Sequence, residues 1–168
     1  MRSVATDALI RPIREADDPV VAEIIRTVMT EHGAVGDGFA IVDPEVERMS
    51  AAYADASDPP ARYFVVEHGG QVIGGAGFAP LAGGGPGVCE LRKMYLRPPV
   101  RGAGLGRRLL DHVLAHARAA GYSTCYLETM ATMQRARALY ESVGFERLSC
   151  ALGATGHYGC DAWYARAL

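Results

Sequence analysis

Hydrophobic and polar positions follow two different periods along the chain, and the changes of period divide it into predicted helices and strands. In segments 20–29, 105–117 and 136–143 the apolar residues recur every three or four positions, which is typical of helices that pack on one side. Short runs rich in β-branched and aromatic residues lie between them and are typical of strands. The pattern predicts the order β-α-α-β-β-β-α-β-α-β-β.

Start and stop residues bound the predicted helices. Asp17-Asp18-Pro19 begins the first helix and Asp43-Pro44 the second, because each places an acidic cap before a proline in the first turn. The predicted helices run to about Glu31, to about Tyr53, from Gly104 to about Gly121, and through 136–143 to the stop at Gly144. The predicted strands are 9–14, 63–67, 71–78, 88–96, 123–129, 145–150 and 159–168.

This order favours an α/β (α+β) fold with a mixed, mostly antiparallel sheet of about seven strands, flanked by four helices. The helix from Gly104 connects two parallel neighbours at the centre of the sheet, since parallel strands need a long crossover. A chain of 168 residues is long enough for a substantial core, and we expect one domain over 1–168.

The most informative stretch is the connection between the fourth predicted strand and the third predicted helix. The strand ends at Pro98-Pro99, and Gly102, Gly104 and Gly106 follow before the helix begins. Backbone N–H groups at such a helix start, together with the helix dipole, form a site for a phosphate. A Walker loop would have lysine and serine or threonine where Arg107-Arg108 stands, and a dinucleotide fingerprint would space the last glycine one residue further on.

Segment 101–106, Arg-Gly-Ala-Gly-Leu-Gly, instead resembles the Arg/Gln-x-x-Gly-x-Gly/Ala pyrophosphate loop of the GNAT family of N-acetyltransferases. Segment 139–145 resembles the family's second signature, Leu-Tyr-x-x-x-Gly-Phe. The likeness covers nearly the whole chain and implies an N-acetyltransferase enzyme that uses acetyl-CoA and releases CoA. The cofactor-binding residues that it implies are Met94, Tyr95, Leu96, Arg101, Gly102, Ala103, Gly104, Leu105, Gly106, Arg107, Met133, Gln134, Ala136, Leu139 and Tyr140.

One position departs from the family pattern. Where the family often has an asparagine that reaches the pantetheine arm or an ordered water, this chain has Met133, with Gln134 beside it. The polar contact on that side of the cofactor is therefore in question. The departure favours an alternative function, a module that senses acetyl-CoA without turnover.

Acyl transfer to an amine sets the chemical needs of the site. An alkylammonium with a pKa of about 10.4 must lose a proton before it can attack. The resemblance implies Glu90 or Glu128 as the base, directly or through water, and Tyr140 as the acid near the CoA sulfur. A salt bridge to Arg92 or Arg135 is the structural alternative for either glutamate. For the oxyanion we expect a backbone N–H near Leu96, where the central strands are expected to separate.

In the family the acceptor lies between the loop that joins the first two helices and the loop that joins the last two strands. Here these loops are 33–42 and 153–159. The predicted acceptor is a primary amine of a small molecule or peptide. The predicted substrate residues are Phe39, Glu90, Thr129, His157 and Tyr158.

Composition and charge exclude several other functions. The net charge is −2 with no basic block, so nucleic acid is not an expected partner, and no apolar run is long enough for a membrane span. No secretory signal is recognised and the four cysteines show no close pairing, so a reducing cytoplasm is expected. His157-x-x-Cys160 is only half of a metal site, and no metal is expected. A homodimer is compatible with this prediction.

Overall fold

The computed structural model describes residues 7–54 and 57–168. Within them, seven strands form one sheet in the order β1-β2-β3-β4-β5-β7-β6. The strands are β1 Leu9–Pro12, β2 Arg62–His68, β3 Gln71–Pro80, β4 Val88–Leu96, β5 Thr124–Thr129, β6 Glu146–Arg147 and β7 Ala162–Ala167. The α-helices are α1 Asp18–Glu31, α2 Met49–Ala52, α3 Leu105–Ala119 and α4 Gln134–Ser142, and 3-10 turns cover Glu15–Asp17, Ala40–Val42, Pro44–Arg48 and Pro98–Val100.

The sheet has helices on both faces. Side chains along β2 point alternately to the two faces, so this strand contributes to two hydrophobic cores. Phe64 and Val66 pack with the apolar stripes of α3 and α4, whereas Tyr63 and Val65 pack with α1 and α2. Strands β4 and β5 are parallel, with α3 as the crossover between them, and the other neighbours are antiparallel. The predicted order and sheet type are confirmed. In the described residues no helix has the length and apolar character needed to cross a membrane.

The prediction of one continuous second helix is wrong. The segment forms the 3-10 turn Pro44–Arg48 and then the short helix α2. The carboxylate of Asp43 makes no cap hydrogen bond to this turn, since it accepts hydrogen bonds from Lys93 and His157 instead. The predicted strand 145–150 shrinks to β6, because the chain leaves the sheet and Leu152 N–H binds the Tyr126 hydroxyl at 3.1 Å.

The central strands separate earlier than the sequence predicts. Parallel pairing of β4 with β5 ends at Glu90 and Tyr126, not at Leu96. Beyond that point β4 carries a bulge at Lys93, whose φ of +48° is unusual for a residue other than glycine. A bulge bends its strand and increases the twist. The β4 edge from residue 91 to 96 is consequently free of β5.

Tyr63 holds this bulge in place. Its hydroxyl donates to the Lys93 carbonyl at 2.7 Å. Its ring lies over Gly75 and Gly77, where an added Cβ would come within 2.6 Å of ring atoms. The glycines of β3 therefore make room for the ring that fixes the bulge, and the bulge opens the sheet where the site lies.

Candidate active site

A cleft of about 610 Å³ lies between the free edge of β4, the start of α3 and the face of α4. Gly102 and Gly104 have φ values of +82° and +80°, a conformation that favours glycine. A Cβ built on either would meet no atom within 4 Å, so both backbones face open space. All the predicted cofactor residues line this cleft except Ala103 and Leu105, and Leu105 is buried in the core instead.

The two arginines expected beside the pyrophosphate line the cleft and are both paired with carboxylates. Arg101 Nη1 and Nη2 donate to Glu31 at 2.7 and 2.9 Å, and its Nε donates to the Leu96 carbonyl at 2.9 Å. Arg107 pairs with Asp111 at 3.0 Å on the surface of α3. Arg101 therefore ties the glycine loop to the end of α1. Backbone N–H groups and the helix dipole at the start of α3 also attract an anion to this site.

A second, smaller cavity of about 70 Å³ adjoins the cleft. The residues that line both are Val28, His32, Met94, Tyr95, Met133 and Tyr140. Beyond this junction the small cavity, here called the acceptor pocket, contains charged side chains from β4, β5 and the loop before β7.

Tyr140 lies at the junction. Its side chain is buried, and burial raises the pKa of the phenol well above its usual range, so the hydroxyl keeps its proton at neutral pH. Among the described residues the hydroxyl has no hydrogen-bond partner, and it can therefore donate to a bound group. This position is consistent with a chemical role as a proton donor and with a packing role in the core.

Glu90 forms the floor of the acceptor pocket and is only 3% exposed. Arg92 Nε donates to it at 2.7 Å, so the salt bridge considered from the sequence is present. Burial raises the pKa of Glu90, and the Arg92 guanidinium only partly offsets this. A carboxyl with a raised pKa is better matched to proton transfer near neutral pH than an ordinary one.

Glu128 faces the same pocket from β5, and its side chain is 4% exposed. Its two oxygens accept hydrogen bonds from the hydroxyls of Tyr126 and Thr155, both at 2.7 Å. Each hydroxyl also accepts a hydrogen bond from a backbone N–H of the loop before β7. Leu152 N–H donates to Tyr126 at 3.1 Å, and His157 N–H donates to Thr155 at 3.2 Å. The loop thereby fixes the carboxylate, and the expected alternative partner, Arg135, does not bind it.

A buried ion-pair network that sequence reasoning missed borders the pocket. Lys93, with its side chain 1% exposed, donates to Asp43 at 2.7 Å and also pairs with Glu45. His157 Nε2 lies 3.1 Å from Asp43. Burial alone would raise the pKa of Asp43, but hydrogen bonds from His157 and Lys93 lower it overall, and the hydrogen bond to Asp43 raises the pKa of His157. The only sequence signal was a lysine inside a central strand, a rare place for one.

The two acceptor loops meet above this network. Gly159 N–H donates to the Gly38 carbonyl at 2.9 Å. The Phe39 ring covers Gly159 and the Tyr158 ring covers Gly38, where an added Cβ would come within 2.4 and 2.6 Å of ring atoms. Of the predicted substrate residues, Phe39, Glu90, Thr129 and His157 line the pocket. Tyr158 does not, because its ring packs on the outside of the loop contact and is 78% exposed.

The methionine at the usual asparagine position has a local partner. The Thr129 hydroxyl donates to Met133 Sδ at 3.6 Å, so the hydroxyl that borders the acceptor pocket is directed toward the thioether. Gln134 is exposed and lines the cleft.

Glu90, Glu128 and His157 offer ligand atoms within 4.8 Å of one another, which is a composition that can bind a metal. In this structure Arg92 pairs with Glu90, Asp43 with His157, and two hydroxyls with Glu128. Each group thus has its hydrogen bonds from protein atoms. The expectation that no metal takes part stays a prediction.

Comparison with known proteins identifies the family. A model of the acetyltransferase (GNAT) family matches residues 30–145, more than half of the chain. The chain belongs to this family. A full-length relative in Escherichia coli strain K12, the uncharacterised N-acetyltransferase YjgM, is 41% identical over 170 residues and covers 100% of both chains. The GNAT fold and the N-acetyltransferase class expected from the sequence are confirmed.

Solved structures share the architecture of this GNAT chain. A ribosomal-protein-alanine N-acetyltransferase from Brucella melitensis superposes with a TM-score of 0.73 at 26% identity, covering 95% of this chain and 99% of that one. A phosphinothricin acetyltransferase from Sinorhizobium meliloti, solved in complex with AcCoA, superposes with a TM-score of 0.75 at 23% identity, covering 96% and 89%. The second likeness establishes the fold alone. In that neighbour the same fold binds AcCoA.

Proposed function

We propose that this GNAT protein transfers the acetyl group of acetyl-CoA to a primary amine by direct attack within a ternary complex. One observation carries the proposal: an anion-binding cleft and a carboxylate-lined pocket meet at Tyr140. A thioester at that junction has its phosphates on one side and its acceptor on the other.

The cleft supports acetyl-CoA through its backbone. The pyrophosphate lies against the loop Gly102 to Gly106, where open glycine backbones and the start of α3 attract negative charge. The pantetheine arm pairs with the free edge of β4 as an added strand would. A backbone N–H near Leu96, on the part of β4 that lies beyond its pairing with β5, stabilises the oxyanion.

Three side chains divide the tasks of proton transfer and amine binding. Glu90 accepts the proton of the attacking ammonium, directly or through water, since burial has raised its pKa. Glu128 holds the amine in the pocket. Tyr140 keeps its proton at neutral pH and donates it to the departing CoA thiolate.

Direct attack is favoured over an acetylated cysteine. Cys160 lines the acceptor pocket, but burial raises the pKa of its thiol to about 12, so it stays protonated and weakly nucleophilic. Cys89 and Cys125 occupy paired positions of β4 and β5 and are fully buried. The acetyl group therefore moves from sulfur to nitrogen in one transfer.

Steady-state kinetics test the proposal. Release of the CoA thiol is followed with acetyl-CoA and a panel of primary amines, and the two substrate concentrations are varied together. Intersecting double-reciprocal lines support a ternary complex, whereas parallel lines indicate a covalent acetyl-enzyme. Calorimetric binding of acetyl-CoA without turnover of any amine would instead support the alternative, a sensor module.

A further inference from the structure

The inner wall of the acceptor pocket has three basic side chains, and protein carboxylates engage each of them. Arg92 binds Glu90 at 2.7 Å, and Lys93 is neutralised by Asp43 together with Glu45. His157 shares Asp43 with Lys93 at 3.1 Å. His32, a further basic residue of the lining, is half-buried where the pocket joins the cleft. The inner wall consequently offers no unengaged cation to a carboxylate on the acceptor.

Two carboxylates, Glu90 and Glu128, line the pocket, whereas Asp43 and Glu45 pair with its basic residues from outside the lining. Of the two in the lining, Glu128 is the one whose hydrogen bonds come from neutral hydroxyls. The nearest cationic atom that pairs with Glu128, Nδ1 of His157, is 3.9 Å away. A buried carboxylate to which no cation donates a hydrogen bond favours a bound ammonium group and opposes a second carboxylate.

The size of the pocket limits the part of the acceptor that lies beyond its amine. The pocket volume is about 70 Å³, room for about five water molecules. The contact between Gly38 and Gly159 and the ring of Phe39 bound this side of it. A few heavy atoms fit beside the ammonium without moving the loops.

We propose that the acceptor is a compact primary amine without a carboxylate group, held as the ammonium by Glu128. This assignment rests on the proposed acetyl transfer at the same site and names its acceptor class. Glu128 is then a specificity residue, and Tyr126 and Thr155 are positioning residues because they orient its carboxylate through hydroxyl hydrogen bonds.

Three related acceptors test the charge rule in the thiol-release assay with acetyl-CoA. They are propylamine, 2-aminobutyrate, which adds a carboxylate to the amine-bearing carbon of propylamine, and 2-aminobutyramide, in which a carboxamide replaces that carboxylate. We expect propylamine and the amide to exceed the acid in kcat/KM by at least about tenfold, since the amide has the shape of the acid but lacks its carboxylate charge. Equal or better use of the acid overturns the assignment while leaving the acetyltransferase intact. A tripeptide that starts with 2-aminobutyrate and exceeds the amide by about tenfold overturns the compact acceptor in favour of a peptide.

Variants connect the preference to Glu128. Glu128→Gln should reduce the ratio of amide to acid turnover by about tenfold, because the opposing charge is gone. Glu146→Gln, at an exposed position of β6, is the matched control and should leave the ratio unchanged. An unchanged ratio in Glu128→Gln overturns the role of Glu128. If none of the acceptors is used, the acceptor assignment is wrong, and calorimetric binding of acetyl-CoA then judges the proposed function separately.

Discussion

The cofactor cleft takes its shape from backbone, whereas the acceptor pocket takes its shape from charged side chains of distant segments. The cleft depends on open glycines at 102 and 104 and on the free edge of β4. The pocket depends on Asp43 contacting residues 50 and 114 positions away. The cleft should therefore tolerate many side-chain substitutions but few changes of backbone conformation. The pocket should tolerate small changes of backbone conformation but few substitutions of its charged side chains.

The largest effect is expected where the pocket's ion pairs are broken. Lys93→Met leaves Asp43 and Glu45 without their buried cation, and we expect a loss of about 3 kcal/mol of folding free energy. For a chain of this size that lowers the melting temperature by about 6–12 °C. Arg107→Met, which breaks an exposed pair with Asp111, is the control and should cost less than about 0.5 kcal/mol. Equal thermal shifts would contradict a network held by burial.

The cleft is tested at a glycine. Gly104→Val adds a branched side chain at φ +80° into the space assigned to the pyrophosphate, and affinity for acetyl-CoA should fall about a hundredfold, or about 2.7 kcal/mol. Gly121→Val is the control, because Gly121 also has a positive φ, +97°, and open space around its Cβ but does not line the cleft. Both variants should lose stability, and only the first should lose calorimetric affinity. Similar affinities for the two would remove the loop from the cofactor site.

Substitutions of Glu90 and Glu128 should affect different kinetic parameters. Glu90→Gln should lower kcat and flatten the acidic limb of the pH–rate profile, since it removes the proton acceptor. Glu128→Gln should raise the KM of the amine about tenfold and leave that limb in place. Initial rates between about pH 6 and 9 separate these outcomes. Unchanged profiles in both variants would mean that the amine enters already deprotonated.

The smallest effect is a pH dependence of the loop contact. The hydrogen bond to Asp43 raises the pKa of His157 above its ordinary value of 6.5. A group with a raised pKa stabilises the fold below its unfolded pKa, and the stabilisation disappears as pH rises through the folded pKa. The difference in melting temperature between the wild type and His157→Gln should thus be largest near pH 6 and vanish at about pH 9. A difference that grows with pH would contradict a protonated His157 in this pair.

The contrast also explains how far the sequence could predict the molecule. Periodicity predicted the order of helices and strands along the chain, and the glycine spacing located the cleft, because features built from backbone leave local patterns in the sequence. The pocket network did not follow from the sequence, since nothing local pairs Lys93 with Asp43 or Thr155 with Glu128. The contacts of Arg101 with Glu31 and of Tyr158 with Gly38 did not follow from the sequence for the same reason, since both are tertiary.

The position of the thioester, at the junction of cleft and pocket, is tested most sharply by Tyr140→Phe. The substitution keeps the buried ring and removes only the hydroxyl, so melting temperature and acetyl-CoA affinity should change little. We expect the rate constant for acetyl transfer to fall about a hundredfold, and the defect to shrink with an acyl donor whose leaving thiol is more acidic. Tyr122→Phe, which removes a hydroxyl bound to the Pro60 carbonyl, controls for a lost hydrogen bond elsewhere. A thermal shift of many degrees with an unaltered rate would make Tyr140 a core residue and contradict a thioester placed beside its hydroxyl.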